Sequence, residues 1–394
     1  MLLRGSGCDS QTATDRGYHA SVVAPRSTYQ ALNHEYPRGL TPTRLELALV
    51  STIRVSLLLS MLLALSACAD SSAPLISSPT FTPSSPAVSH VGSREYLYVA
   101  SDTFIFGGEV SVFTLGHPTA IAIFDEKSYK PSFVTFDRAG NLYVVDGDIT
   151  VFRPGSTKPF RRIYRGTDRT SRIAFDSSNT LYAANVENNT VTAYLGNGVP
   201  VETIRVLTPR ALLTDSAGDL YVASYYGNFV NVYPPKRAKA ARKLVRGIKG
   251  PTSLAFGPGG DLYVANGATG TVAVYSRGSF ELRRVIGSGV RDPSVVAFDP
   301  RGVLFVACQA TGTRKGYIAV FAQGSSSPAR FITDAVTDPI ALIFDGAGNL
   351  YVANQSSFPG APGSVAVFSP KESHPSRVFT QGLYDPASLA IGSW

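Results

Sequence analysis

Seven short apolar runs of one spelling recur between residue 95 and the C-terminus: "EYLYVAS", "GNLYVVD", "NTLYAAN", "GDLYVAS", "GDLYVAN", "GVLFVAC" and "GNLYVAN". Their leucines are Leu97, Leu142, Leu181, Leu220, Leu262, Leu304 and Leu350, about 42 residues apart on average. Each run sits in a fixed frame. Around Leu262, "SLAFG" precedes a Gly/Pro turn, "TVAVY" follows a short Gly loop, "LRRVI" comes next, and "SVVAFD" opens the following unit. Four brief runs rich in β-branched and aromatic residues, separated by turn formers, predict a four-stranded antiparallel meander. A repeat of roughly 40 residues built that way is a propeller blade.

The alternation within the first strand predicts how the blades pack. Aligned across units, one position holds Val134, Ile173, Leu212, Leu254, Val296, Leu342 and Leu389. Two residues on stand Phe136, Phe175, Thr214, Phe256, Phe298, Phe344 and Ile391, and the position between is mostly small: Thr135, Ala174, Leu213, Ala255, Ala297, Ile343 and Ala390. Alternate side chains leave opposite faces of a strand. One face of most blades therefore offers bulk and the other offers room, which suits sheets stacked face to face around a ring.

The ends of the array complement each other. The first unit, "EYLYVAS", lacks a preceding "SLAF" strand, and the chain ends in "ASLAIGSW", a first strand with no unit after it. Pairing of residues 388–391 with 96–100 would complete one blade and leave it no free edge. The expected fold is thus all-β, a seven-bladed β-propeller of four-stranded antiparallel blades over 95–394, closed by the C-terminal strand pairing into the first blade. Turns such as "FDRAGN", "TDSAGD", "FGPGGD" and "FDGAGN" often set Asp at the start and Gly near the end. They read as carboxylate-capped turns with Gly at positive φ, since a calcium ion wants six to eight oxygens.

The N-terminal part follows other rules. "RVSLLLSMLLALSAC" carries an Arg before an apolar run of residues 55–68, too short for a membrane helix of ~20 residues and laid out as a secretory signal. Its end, Leu65-Ser66-Ala67-Cys68, resembles the bacterial lipobox, which implies lipidation at Cys68 and an exported protein lipid-anchored to the cell envelope. Residues 1 to about 50 fit no part of that signal, and 1–54 read as a leader, either a start placed too early or the n-region of the signal. Residues 69–94 include "SSAPLISSPTFTPSSPAVSH", a Ser/Pro-rich tether with a random-coil reach of ~25 Å.

Composition limits the remaining choices. Three cysteines far apart give no disulfide or metal framework. The net charge of +8 is modest for 394 residues, and nucleic acid is not expected as a partner. The one basic stretch, "PPKRAKAARKLVRGIK" at 234–249, reads as a solvated outer edge that blocks edge-to-edge pairing, with attraction of phosphate polymers or anionic lipid as the alternative.

The units resemble NHL-type and related bacterial propeller repeats, including those of the streptogramin-lyase type, over residues 95–394. That resemblance implies architecture first, because such repeats serve lyases, lactonases and non-enzymatic binding proteins alike. It also implies a working face made of the loops after the second strand and before the first. A lyase there needs histidines, and the chain after Cys68 has His90 in the tether and His117 and His374 in third-to-fourth-strand loops. Asp146, Asp148, Asn185, Asn266 and Asn354 follow second strands and read as strand-end caps; Cys308, at the same position, reads as an inert thiol. No catalytic set, cofactor or metal ligand is assigned. The candidate ligand face is aromatic and polar: Phe104, Phe106, Tyr225, Tyr226 and Phe358, helped by Asp102 and Asp146. The expectation is a monomeric binding or scaffold propeller recognising a peptide, glycan or envelope protein through one rim. The alternative is a metal-dependent hydrolase or lyase with a divalent cation at the channel mouth.

Overall fold

A computed structural model of the chain describes residues 94–103, 107–124, 130–356 and 362–394. The leader, the signal run with Cys68, the tether with His90, and Phe104, Phe106 and Phe358 lie outside the described residues.

Seven four-stranded antiparallel sheets form a closed ring, a seven-bladed β-propeller. Blades 2 to 7 take their strands in chain order, from 133–163, 170–205, 209–244, 251–286, 293–332 and 339–379. Blade 1 is composite: the last strand, Asp385–Ser393, joins Glu95–Thr103, Gly107–Thr114 and Ala120–Phe124 as its innermost member. The register sets Leu97 opposite Ile391, Val99 opposite Leu389 and Ala100 opposite Ser388. This is the predicted closure, one to three residues longer at each end. The first strands lie side by side around the axis, Asp385–Ser393 between Pro339–Phe344 and Phe133–Phe136.

The bulk-and-room pattern becomes a repeated aromatic contact between blades. The first-strand Phe of one blade meets the second-strand aromatic of the blade before it, edge-on, in five seams. The pairs are Phe136 with Tyr98 (4.9 Å between centroids), Phe175 with Tyr143 (4.9 Å), Phe256 with Tyr221 (5.1 Å), Phe298 with Tyr263 (4.8 Å) and Phe344 with Phe305 (5.0 Å). Edge-to-face pairs add about 0.5–1.5 kcal/mol each beyond their burial. The small residue between the two bulky ones sits on the other side of its sheet. Ala255 of blade 5 packs with Val296 and Phe298 of blade 6, and Ala297 with Leu342 of blade 7. Thr214 interrupts the aromatic series, and its hydroxyl instead donates across the seam to the Phe175 carbonyl at 2.6 Å.

The first-to-second-strand turns form the lower face. In five of them an aspartate caps the turn: Asp345 Oδ1 accepts from the Ala347 and Asn349 N–H groups at 3.0 and 2.8 Å, and Oδ2 accepts the Tyr351 hydroxyl at 3.2 Å. Asp137, Asp176 and Asp215 repeat this with Tyr143, Tyr182 and Tyr221. Blade 6 has Phe305 where the tyrosine would be, and there Asp299 Oδ2 takes the Arg301 guanidinium at 2.7 and 3.0 Å instead. The turns thus use their carboxylates for capping.

Candidate functional site

The upper face carries the second-to-third-strand loops and the fourth-to-first-strand entries. Its scaffold is a buried clasp. Asn185, at the end of a second strand, accepts the Thr170 hydroxyl at 2.7 Å and the Asp168 N–H at 3.2 Å on Oδ1, and donates from Nδ2 to the Gly166 carbonyl at 2.9 Å. Asn266 repeats it with Lys249 and Gly247, and Asn354 with Thr337 and Ala335. All three are fully buried. Their amides are consumed in fastening the entry loop to the blade, which is the capping role expected from the sequence. Cys308 occupies the same position, fully buried, and burial pushes its thiol above the ordinary range.

Blade 4 places the aromatic candidates. Tyr225 follows the second strand Leu220–Ser224, and its N–H donates to the Thr208 carbonyl at 3.1 Å, so the loop is pinned to its own entry. Its ring lies near Gly250 and stands edge-on to Tyr226, 5.1 Å between centroids. Tyr226 is 72% exposed, more than any other large hydrophobic side chain among the described residues. Asp102 and Asp146 are elsewhere on the ring, in blades 1 and 2. Asp102 pairs with Lys130 at 2.9 Å, and the buried Asp146 approaches Arg162 at 3.7 Å. The structure brings the two tyrosines together but gives these aspartates partners of their own.

Two residues that sequence reading passed over lie on the strands lining the axis. Most first strands begin with Pro and carry a bulge one residue later, leaving that residue unpaired. In blades 5 and 6 the bulged residue is Thr252 or Ser294, whose hydroxyl donates to the Pro293 or Pro339 carbonyl of the next blade at 2.6 or 2.8 Å. In blade 4 it is Arg210, exposed and without an ion pair among the described residues. Beside it in blade 3, Arg172 lies over the Phe133 ring at 5.2 Å and donates to the Ser171 carbonyl at 2.7 Å. Burial first, and the Arg210 charge second, push the Arg172 guanidinium down to about 10, so it stays cationic at neutral pH. Bulge position within a strand start was the signal that could have found Arg210.

The other side of the mouth is acidic. Asp385 sits on the closing strand directly opposite Asp102. Burial pushes its carboxyl up, and the Asp102 and Asp338 charges add to that against the Ser356 N–H and Lys130. Among the described residues no three His, Cys, Asp or Glu side chains stand close enough to hold a metal ion. His117 and His374 are exposed in third-to-fourth-strand loops, His374 against Asp334 at 3.0 Å. The basic stretch lies on the outside of blade 4, where the Lys243 ammonium lies 4.3 Å from the Phe229 ring centroid.

No protein-family model matches the chain, and no curated protein matches it. Solved structures do. A functionally unknown protein from Desulfotomaculum acetoxidans DSM 771 is 11% identical, with a TM-score of 0.61 over 76% of this chain and 99% of its own. A "putative 6-phosphogluconolactonase" from Bacteroides fragilis NCTC 9343 is 14% identical, with a TM-score of 0.59 over 77% of this chain and 99% of its own. Likeness at these identities establishes the shared propeller fold and carries no activity with it.

Proposed function

We propose that this protein is a recognition propeller that takes its partner on the upper rim at blade 4, with Tyr226 and Tyr225 as the anchor and Arg210 as the neighbouring cation. One observation carries the reading: a tyrosine ring left 72% exposed on a loop that is itself pinned at both the backbone and the adjacent ring. Rigid, exposed aromatic surface lowers the entropy cost of binding. The partner is a peptide, glycan or protein that offers an apolar group beside an anionic one. In this reading Cys68 is lipidated and the Ser/Pro-rich segment lets the ring stand off an envelope membrane.

The test is capture from envelope extracts by the immobilised propeller. Replacing Tyr225 and Tyr226 by Ala is expected to cost ~2 kcal/mol or more, over tenfold in affinity. Neutralising Lys239, Arg242 and Lys243 on the outside of the same blade is expected to change little. Loss of capture in the basic variant, with retention in the tyrosine variant, would place binding on the blade edge and overturn the reading.

A further inference from the structure

Two blades lack the aspartate that caps the lower-face turn: residue 392 in blade 1 and residue 257 in blade 5 are glycines. Blade 1 compensates within the chain. The Tyr98 hydroxyl donates to the Ser393 carbonyl at 3.1 Å, and the Trp394 ring stacks against Tyr98 and stands edge-on to Phe124. What remains is a cavity of about 10 Å³, at the lower limit for one water.

Blade 5 does not compensate. A cavity of about 240 Å³ opens there between blades 5 and 6, walled by Gly257, Gly259, Asp261, Tyr263, Arg283 and Arg284. Gly257 has no carboxylate to offer the N–H groups of Gly259 and Asp261, the pair that Oδ1 accepts in the other turns. Tyr263, whose counterparts in four blades donate to that carboxylate, has only the Arg284 Nη2 donor among the described residues, at 3.4 Å. Arg284 Nη1 donates to the Gly324 carbonyl at 2.5 Å, while its Nε is buried with no partner among the described residues. Buried N–H donors are paired in the great majority of cases, and this one stays unpaired in a side chain that forms part of the cavity wall. The charge points the same way. Asp261 is engaged by Arg283, which leaves the Arg284 guanidinium as the one unbalanced charge on the wall. Gly257 does not adopt positive φ, so the backbone itself does not require glycine.

We infer that this cavity is a binding site for a small organic acid, whose carboxylate takes the position that an aspartate side chain fills in the other turns. One oxygen would accept from the Gly259 and Asp261 N–H groups and the other from Tyr263 and Arg284. A monoanion matches the single excess positive charge, and the Asp261 carboxylate on the wall disfavours a dianionic phosphate.

The full-length protein is titrated calorimetrically with sodium acetate and sodium lactate, against sodium chloride and inorganic phosphate at matched ionic strength. At least one carboxylate is expected to bind the wild type more tightly than chloride or phosphate. Gly257→Asp, which returns the carboxylate to the chain, is expected to weaken that binding tenfold or more, and Arg284→Gln to do the same. A Cβ at residue 257 would lie 2.8 Å from Tyr263 Cε2, so that ring has to swing aside; the Arg284→Gln arm keeps the test decisive if Gly257→Asp does not fold. Failure of both carboxylates to bind the wild type, phosphate binding in their place, or unchanged binding in Arg284→Gln or in a folded Gly257→Asp would each overturn the assignment.

Discussion

Asp102 and Asp385 stand directly opposite one another in the antiparallel pair that closes the ring, and the Oδ1 atom of each is buried without a partner among the described residues. Like charges placed so are destabilising. Since burial and its neighbours raise the Asp385 carboxyl above its ordinary value of 3.8, the native state holds that proton to higher pH than the unfolded chain does. Stability attributable to this group therefore falls as pH rises from the unfolded value through the folded one, and the cost is complete above both. Asp385→Asn is expected to raise the melting temperature at neutral pH, with the gain fading as pH drops below the ordinary carboxylate range. A gain independent of pH, or none at pH 7, would show that the carboxylate charge is not the cause.

Tyrosine-to-phenylalanine exchanges at equivalent positions should differ in cost. Tyr351 donates to the buried Asp345 carboxylate, and hydrogen bonds to charged groups contribute about 1.5–3 kcal/mol. Tyr263 has no such acceptor. Denaturant unfolding is expected to show Tyr351→Phe as clearly destabilising, and Tyr263→Phe as costing below ~1 kcal/mol. Equal costs would mean that the Asp–Tyr contact is incidental to the turn.

Removal of residues 387–394 should open blade 1. The deletion takes away buried Leu389 and Ala390 and bares the inner edge of Glu95–Thr103. Leu389→Ala alone is expected to cost about 2–5 kcal/mol, and the truncation more, with a broadened unfolding transition. A truncated chain that melts as sharply and as high as the full one would show that the closing strand contributes little.

Lipidation is checked by mass. Intact-mass analysis is expected to find a diacylated mature N-terminus at Cys68, and Cys68→Ser to release the protein from the membrane fraction. Unaltered partition of the variant would refute anchoring through that residue.

The architecture was legible because a ring of blades repeats its instructions. The "LYVA" runs, the Phe and Ala alternation and the matched terminal deficits each stated one relation several times over, and together they brought 388–391 to 96–100, where Leu97 and Ile391 stand opposite each other. The asparagine clasp was legible too, since Asn185, Asn266 and Asn354 end equivalent strands. Arg172 and Arg210 were not. Each occurs once, at a position where the other units hold Thr, Ser, Val, Ala, Ile or Phe, so the repeat that identifies the frame averages the exceptions away. The blade 5 cavity hides for the same reason. Gly257 in "FGPGGD" reads as one more turn glycine until the carboxylates of five other turns show what it lacks.

The closing pair also sets a timetable. Residues 95–103 leave the ribosome early, yet their inner neighbour is 385–393, and at about 5–20 residues per second that strand arrives roughly 15–60 s later. Through that interval six blades can pair internally, each from a contiguous stretch of chain, while the first stands with one open edge. Newly made protein is thus most exposed to wrong strand partners, including the same strand of a sister chain, just before its last residues emerge.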